Sequence, residues 1–505
     1  MNIALISFQN NTEVIGAKYL HAFLRANGHT SHLILQPDSD CSSDISIFNF
    51  IEDNDVQMVG ISLMSGEFFR AAKFAKEFKT GFSDIPLVIG GIHATIAPED
   101  CLSVADFAVR GEGEHTLLEL IRFIEEKKDF SEIRGICYKK GSDIVVNPPR
   151  DLEKNIDIFP FPGHLPDMMY VVHRKSVRRM DMALFKSYSR YSGIFPNIIT
   201  TRGCPFSCTY CCNSAYKLLY GHYPVRKRSV SSVIMECLEI VSTHKNCDSI
   251  NIQDDCFFTY DIDWLAEFAR HYKKRIGLPF KVRTTPGHIK KDKLKVLKDA
   301  GLVIIMIGMQ SGSDRINKEI YRRNVTGEQF LKAASMVRET GIVGLYDVIS
   351  DNPYETEVER EETLSLALKI PKPFHLKMFS LCFYQGTELN KKAMADGVSF
   401  TDPRIDDYGA LAPTPLNKIL NMVPTYPAAL MKFLAARRDN RLAGYIIDIL
   451  TVLNDRIFQP VLFLCLMHRA YGSKISKTAE IAIRLGKTAI DKRTVKIKKL
   501  FSGQN

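Results

Sequence analysis

The 505-residue chain lacks several things that would place it in a simple class. It has no run of the ~20 apolar residues that a membrane-crossing helix needs. Its most apolar stretch near the C-terminus, from Ile457 to Met467, is short, and Asp455, Arg456 and Pro460 interrupt it. The opening residues, MNIALISF, lack the basic n-region and small-residue cleavage site of a secretory signal, and read as a first β-strand. Cysteine is sparse, with 12 in the whole chain, which excludes a small disulfide scaffold. Short-period repeats and low-complexity tracts are missing. A globular protein in a reducing, cytoplasmic compartment follows, with thiols available for metal.

An excess of one charge is also missing over most of the length. The net charge is +10, yet residues 1–429 hold 52 basic and 52 acidic side chains. The excess lies entirely from Leu430 onward, with 15 basic and 5 acidic residues. A uniformly basic nucleic-acid binder is excluded, and no aromatic residues interleave the basic ones, so no nucleic-acid partner is expected. Within this region Tyr445, Ile446, Ile449, Leu450 and Leu453 fit one apolar helical stripe. The stretch KTAEIAIRLGKTAIDKRTVKIKKL alternates apolar and basic positions. Three readings stay open for it: a solvated helix face, a lid on the preceding domain, or peripheral contact with an anionic membrane.

What is present is alternation of strand and helix signals. Ile3 to Phe8, His32 to Leu35, Val56 to Leu63, Pro86 to Ile89 and Asp106 to Arg110 are short apolar runs, with helical spacing at Thr12 to Asn27 and Phe68 to Phe78. This predicts a doubly wound parallel sheet over 1–145, whose ligands bind beyond the carboxyl ends of the strands. Ser62, Gly90, Gly91 and Gly111 fall at those ends. Residues 146–190, with a Pro pair, FPFPGHLP and Arg174, Lys175, Arg178 and Arg179, read as a connector. A second series of strands follows at Ile198–Thr201, Ser249–Gln253, Lys281–Arg283, Val303–Met309, Val343–Ile349 and His375–Ser380. It predicts a partial (β/α)6 barrel over 191–400 with its chemistry at the C-terminal strand ends. From about Thr401 to 505 the pattern is mainly helical.

The most specific pattern is Cys204, Cys208 and Cys211 in RGCPFSCTYCCN, spaced C-x3-C-x2-C directly after a predicted strand. Three thiolates within eight residues suit one face of an iron–sulfur cluster and leave one iron open. The competing reading is a structural zinc site with Cys212 or a remote His as fourth ligand, although no second C-x2-C knuckle is present. The aromatic Tyr210 before the third cysteine makes the loop resemble the signature of the radical SAM superfamily.

That resemblance implies a [4Fe–4S] cluster on Cys204, Cys208 and Cys211, with Cys212 a non-ligand. Its open iron would bind S-adenosylmethionine and cleave it to a 5′-deoxyadenosyl radical, using an electron from a flavodoxin- or ferredoxin-type donor. Further segments are similar to the cobalamin-dependent branch: INIQDDCFFT at 250–259, VRTTPGHI at 282–289, IGMQSGSDRI at 307–316, LYDVISDNPYET at 345–356 and FSLCFYQGTEL at 379–389. Gln385 stands in the last where Pro is common. The resemblance places Asp254 or Asp255 at the SAM ammonium or ribose, with a helix cap as the alternative. It places Gln310 and Ser311 at the cofactor, with Gly312 letting backbone approach it.

The N-terminal domain resembles the cobalamin-binding domain of the same branch through GISLMSG, GGIHATIAPED and RGEGEHT. This implies Ser62, Gly90 and Gly91 around the corrin, Gly90 and Gly91 letting its nucleotide tail come close. Glu114 reads as a first-turn helix carboxylate. One departure matters: the loop after the first strand is FQNNTEVIG, so the Asp-x-His-x-x-Gly histidine is absent and a lower cobalt ligand from it is excluded. His93 as a substitute is weighed against an ordinary strand-end surface His. The implied activity is cobalamin-dependent methylation of an unactivated carbon in a small-molecule or lipid-like substrate. The alternatives are cyclisation, oxidation or rearrangement without methyl transfer, and a non-catalytic metal-binding protein.

Overall fold

A computed structural model describes residues 1–37, 44–244, 247–400 and 410–472. Contacts divide the chain into two units. The first holds Met1–Thr259 with short returns at Ile320–Arg323 and Cys382–Tyr408; the second holds Tyr260–Glu319, Asn324–Leu381 and Gly409–Asn505.

The first unit is built on a nine-stranded sheet. Its strands are β1 (Asn2–Ser7), β2 (Thr30–Leu35), β3 (Met58–Ser62), β4 (Leu87–Gly90), β5 (Phe107–Val109), β6 (Ile136–Lys140), β7 (Asp143–Val146), β8 (Met169–His173) and β9 (Ser176–Arg179), in the order β7-β6-β5-β4-β3-β1-β2-β8-β9. The neighbours from β5 through to β8 are parallel, as β1 with β3 (Ile3↔Met58) and β3 with β4 (Val59↔Leu87) illustrate. The apolar runs are buried on both faces: Ala4, Ile6, Val59 and Ile61 join one core, and Ile3, Leu5, Leu33 and Val88 the other. That is why these strands read as continuous apolar runs and not as alternating ones.

Residues 146–190 are more than a connector. β8 continues the sheet in parallel to β2 (Leu33↔Met169), and β9 folds back antiparallel on β8. The basic pair Arg174 and Lys175 forms the turn between them, both at positive φ. A Pro-rich approach and a basic turn hid two short strands, of which β8 buries Met169 and Val171.

The same unit holds β10 (Asn197–Ile198), β11 (Thr201–Arg202), β12 (Arg226–Lys227) and β13 (Ile250–Ile252), with β10 parallel to β13 and β11 antiparallel to β12. The predicted strand Ile198–Thr201 is therefore broken into β10 and β11. The expected boundary near residue 190 does not separate compact bodies, because the cysteine region packs with the first sheet inside one unit.

The second unit carries β14 (Phe280–Thr284), β15 (Leu302–Gln310), β16 (Val343–Ser350) and β17 (His375–Ser380), each parallel to the next. In chain order β10, β13, β14, β15, β16 and β17, with helices between them, are the strands of the partial (β/α)6 barrel read from the sequence. Helices follow from Pro415. Arg441–Leu453, a π turn at Asn454–Phe458 and Gln459–Tyr471 run on as 31 helical residues. By length and composition this helix could cross a membrane, although only 11% of its most apolar window is buried. The interruption expected at Asp455, Arg456 and Pro460 does not occur: Pro460 sits in the first turn of a helical segment, where its missing N–H costs nothing. The basic stretch from 477 onward lies outside the described residues.

Candidate functional site

Parallel strands end together, so their following loops share one edge of the sheet. In the first unit that edge borders a cavity of about 480 Å³. Ser62, Gly90 and Gly91 line it, with Gln9, Met64 and the segment Gly111–Glu114. Its deeper wall is apolar, including Leu5, Ile61, Val88 and Leu117. The two glycines differ. A Cβ on Gly90 would have nothing closer than Val109 Cβ at 3.9 Å. A Cβ on Gly91 (φ +97°) would lie 2.6 Å from the Leu63 carbonyl oxygen. Gly91 is thus required by the chain itself, while Gly90 keeps the space open.

Ile199, Arg202, Tyr216 and Tyr223, from the segment around the cysteines, complete the lining. They are fixed by an ion-pair network that sequence reading missed. Arg202 donates to Glu114 (2.6 Å) and to Glu112 (3.3 Å), and Arg226 donates to Glu112 through both terminal nitrogens. Burial alone would raise the Glu112 carboxyl; hydrogen bonds from Arg226 and the charges of Arg202 and Arg226 outweigh it and hold the group below its usual range. Tyr220 hydroxyl accepts from the Glu112 backbone N–H (3.0 Å), and Tyr216, Tyr220 and Tyr223 stack. Glu114 is the first residue of the helix Glu114–Glu126, as expected, but its carboxylate is buried against Arg202. The signal available in sequence was the pair Gly111-Glu112-Gly113-Glu114 and Arg202; nothing there paired them across some 90 residues.

None of the described residues lining the cavity is histidine. His93 is not the surface residue expected of it. It is fully buried, its Nδ1 is 3.1 Å from Ser65 Oγ, its Nε2 is 3.5 Å from Asp100, and its ring lies against Phe68. It serves the packing of the sheet edge.

Cys204, Cys208 and Cys211 occupy one loop after β11, each partly exposed. The Cys211 N–H donates to the Cys208 carbonyl (3.0 Å), curling the loop, and Cys212 opens the helix Cys212–Tyr220. Burial raises the Cys204 and Cys208 thiols. The Cys212 thiol hydrogen-bonds to Cys211 and lowers the latter. Tyr210 packs edge-on against Tyr321 (4.9 Å) and hydrogen-bonds Cys208. Arg323, buried and also unforeseen, places its positive charge near Cys208 and Tyr210. Among the described residues no three His, Cys, Asp or Glu side chains close on one point as a single metal ion requires. Three thiols on one curled loop can each serve a separate iron, the donor set that a cluster takes.

The two aspartates after β13 differ. Asp254 is buried; it accepts from the Thr200 N–H (2.6 Å), the Thr201 N–H (3.1 Å) and the Thr200 hydroxyl, and burial lifts it to about 6. Its oxygens thus hold the link between β10 and β11, which leads into the cysteine loop. Asp255 is exposed and accepts from Asn213 Nδ2 (2.9 Å), an amide that also faces Cys211 Sγ (3.7 Å).

Gln310 and Ser311 belong to the second unit. Gln310 ends β15 with φ +65°, beside a register shift against β16. Ser311 is buried and donates to Glu355 Oε1 (2.7 Å). Gly312 does not make room for a cofactor as expected: a Cβ there would lie 2.4 Å from Thr363 Cα. Its glycine lets β15's end abut the helix Glu357–Ala367. Arg315 pairs with Glu359 (2.6 Å) and donates to the Tyr354 carbonyl.

Comparison with known proteins agrees with this geometry. A B12 binding domain model matches residues 1–121, and a radical SAM superfamily model matches residues 198–367. The chain is 27% identical over 393 residues to an uncharacterized methyltransferase of Pyrococcus horikoshii, covering 77% of this chain and 80% of that protein. It is 26% identical over 362 residues to an anaerobic magnesium-protoporphyrin IX monomethyl ester cyclase of Rubrivivax gelatinosus, covering 69% of this chain and 60% of the cyclase. Among solved structures, the cobalamin-dependent S-adenosylmethionine radical enzyme OxsB, with aqua-cobalamin and S-adenosylmethionine bound, superposes with a TM-score of 0.67 at 15% identity. That match covers 98% of this chain and 81% of OxsB, and at such identity it is a likeness of fold.

Proposed function

Because the chain belongs to the cobalamin-binding branch of the radical SAM superfamily, and is a radical SAM enzyme using a [4Fe–4S] cluster, S-adenosylmethionine and cobalamin, we propose that it methylates an unactivated carbon of a small-molecule or lipid-like substrate. When bound, the cluster with SAM supplies a 5′-deoxyadenosyl radical that abstracts hydrogen, and cobalamin supplies the methyl group. The observation that carries the reading is the cavity of about 480 Å³ at the sheet edge, bordered by Ser62, Gly90 and Gly91, with no histidine among its described lining residues. Ser62, Gly90 and Gly91 would hold the corrin there, and it would supply the methyl group.

The chain's own residues divide the work. Cys204, Cys208 and Cys211 hold the cluster as thiolates, with Tyr210 and Arg323 steadying the loop. Asp255 accepts from the SAM ammonium or ribose, while Asp254 is a positioning residue for Thr200 and Thr201. Gln310 offers its side chain to SAM; Ser311 offers backbone, since its hydroxyl is given to Glu355. Ser62 and Gly90 hold the corrin, with Gly91 shaping the turn beside them. A flavodoxin- or ferredoxin-type protein delivers the electron, in the cytoplasm, where thiols stay reduced.

Anaerobic reconstitution with iron, sulfide and hydroxocobalamin tests this. About four irons per chain, a corrin absorption spectrum, and both 5′-deoxyadenosine and S-adenosylhomocysteine on reduction with SAM are expected. The likeness to the cyclase favours a second reading, radical cyclisation or oxidation without methyl transfer. Under it 5′-deoxyadenosine forms without S-adenosylhomocysteine. Failure to form 5′-deoxyadenosine at all would leave a non-catalytic metal-binding protein.

A further inference from the structure

Large apolar side chains are exposed unevenly in this protein. Of the twenty-one exposed among the described residues, nine lie between Leu442 and Val461, on the helix Arg441–Tyr471. Leu442, Tyr445, Ile446, Ile449, Val452 and Leu453 recur at three- and four-residue steps and so share one face. Leu442 is 69% exposed and Ile449 61%. Monomeric soluble proteins rarely leave such a stripe open.

The opposite face is occupied. Ala443, Ile447, Asn454, Leu466 and Met467 are buried. Leu466 and Met467 pack with Val303, Ile304 and Val343, from β15 and β16. Tyr426 meets Phe458 edge-on at 5.3 Å, and its hydroxyl donates to the Leu450 carbonyl. A helix tied to its own domain along one side cannot be surrounded by lipid without losing those contacts, so its length does not make it a membrane span.

The charges around the stripe are sorted. Asp448 is turned to Lys418 (2.7 Å) and Asp455 to Asn421 (3.2 Å). Arg441, Arg456, His468 and Arg469 are exposed. The sequence that follows, residues 473–505, holds nine Lys and Arg against two Asp and Glu. An apolar stripe flanked by basic side chains is the chemistry of a helix lying in the headgroup plane of an anionic bilayer, and a following polybasic segment strengthens the attraction.

We propose that the exposed face of Arg441–Tyr471 is a docking surface for an anionic lipid bilayer, on which the helix lies flat. The protein would then bind membranes peripherally. This is independent of the methyl-transfer reading, since it concerns no residue of the cofactor sites.

Vesicle flotation with the full chain tests it, using phosphatidylcholine vesicles with and without 30 mol% phosphatidylglycerol. The expected result is binding at least tenfold stronger to the phosphatidylglycerol vesicles, weakened at least tenfold by 0.5 M salt. The double variant Ile449→Glu, Val452→Glu is expected to lose at least tenfold in vesicle affinity with unchanged corrin binding. Hydrogen exchange on the unmodified protein gives a second reading that needs no variant: amides of 442–461 should gain protection only when anionic vesicles are added. Equal flotation on both vesicle types would overturn the proposal. So would a stable dimer that shields 442–461, or protection of that face by residues 473–505 in the absence of lipid.

Discussion

In the first sheet, Ser62 and Gly90 end parallel strands facing a cavity of about 480 Å³, whereas at the strand ends of the second unit Ser311 gives its hydroxyl to Glu355 and Gly312 lies against Thr363. The same residue types stand at equivalent places in both sheets. In one they border space left for a guest; in the other they fit the protein to itself. A small residue at a strand end therefore says that something comes close, and only the surrounding atoms say whether it is cofactor or backbone.

Substitutions can separate the two cases. The largest effect is expected at the cysteine loop, where Cys208→Ala should reduce bound iron to background and abolish 5′-deoxyadenosine, measured by iron analysis and chromatography. Next is Arg202→Ala, which takes its arginine partner from the buried Glu114 and leaves Glu112 to Arg226 alone. Removing one partner of a buried ion pair costs about 3–5 kcal/mol, so denaturant unfolding should show a loss near the lower end, with corrin binding impaired because the cavity wall moves. Gly312→Ala should destabilise by about 1–3 kcal/mol whether or not cofactor is present, since its Cβ meets helix backbone. Gly90→Ala should leave unfolding within about 0.5 kcal/mol of the parent yet weaken hydroxocobalamin binding about tenfold, because its Cβ enters only the cavity. Equal costs for the two glycine variants on folding would mean that the two strand ends do not differ.

A further effect concerns pH. Burial raises Glu355 from 4.5 to about 7, so the folded state keeps a proton that the unfolded chain releases. The stability this group contributes is complete below pH 4.5 and is lost as the pH climbs to about 7, an effect of about 3 kcal/mol. Glu355→Gln should flatten that slope in urea titrations at stepped pH.

Much of this was legible in the sequence where the signal is local. The cysteine triplet sits within eight residues, and the strand runs are apolar because both sheet faces are covered. Ser62, Gly90 and Gly91 follow such runs directly. What was hidden depends on distance or context. Glu112, Arg202 and Arg226 are ordinary charges until folding pairs them. β8 and β9 are short, follow a Pro-rich segment and flank a basic turn. The 31-residue helix hid because Pro460 reads as a breaker, although a π turn and a fresh first turn absorb it. Gly312 misled because a glycine beside a cofactor motif looks the same as one beside a helix.

In this reading the protein holds cobalamin over a sheet edge whose described lining residues supply no histidine to cobalt. Electron paramagnetic resonance of the reconstituted protein with its cobalt in the divalent state tests it most directly. A spectrum unchanged by His93→Ala is expected, whatever nitrogen the cofactor's own nucleotide base supplies. Resolved splitting from one nitrogen, lost on His93→Ala, would contradict it.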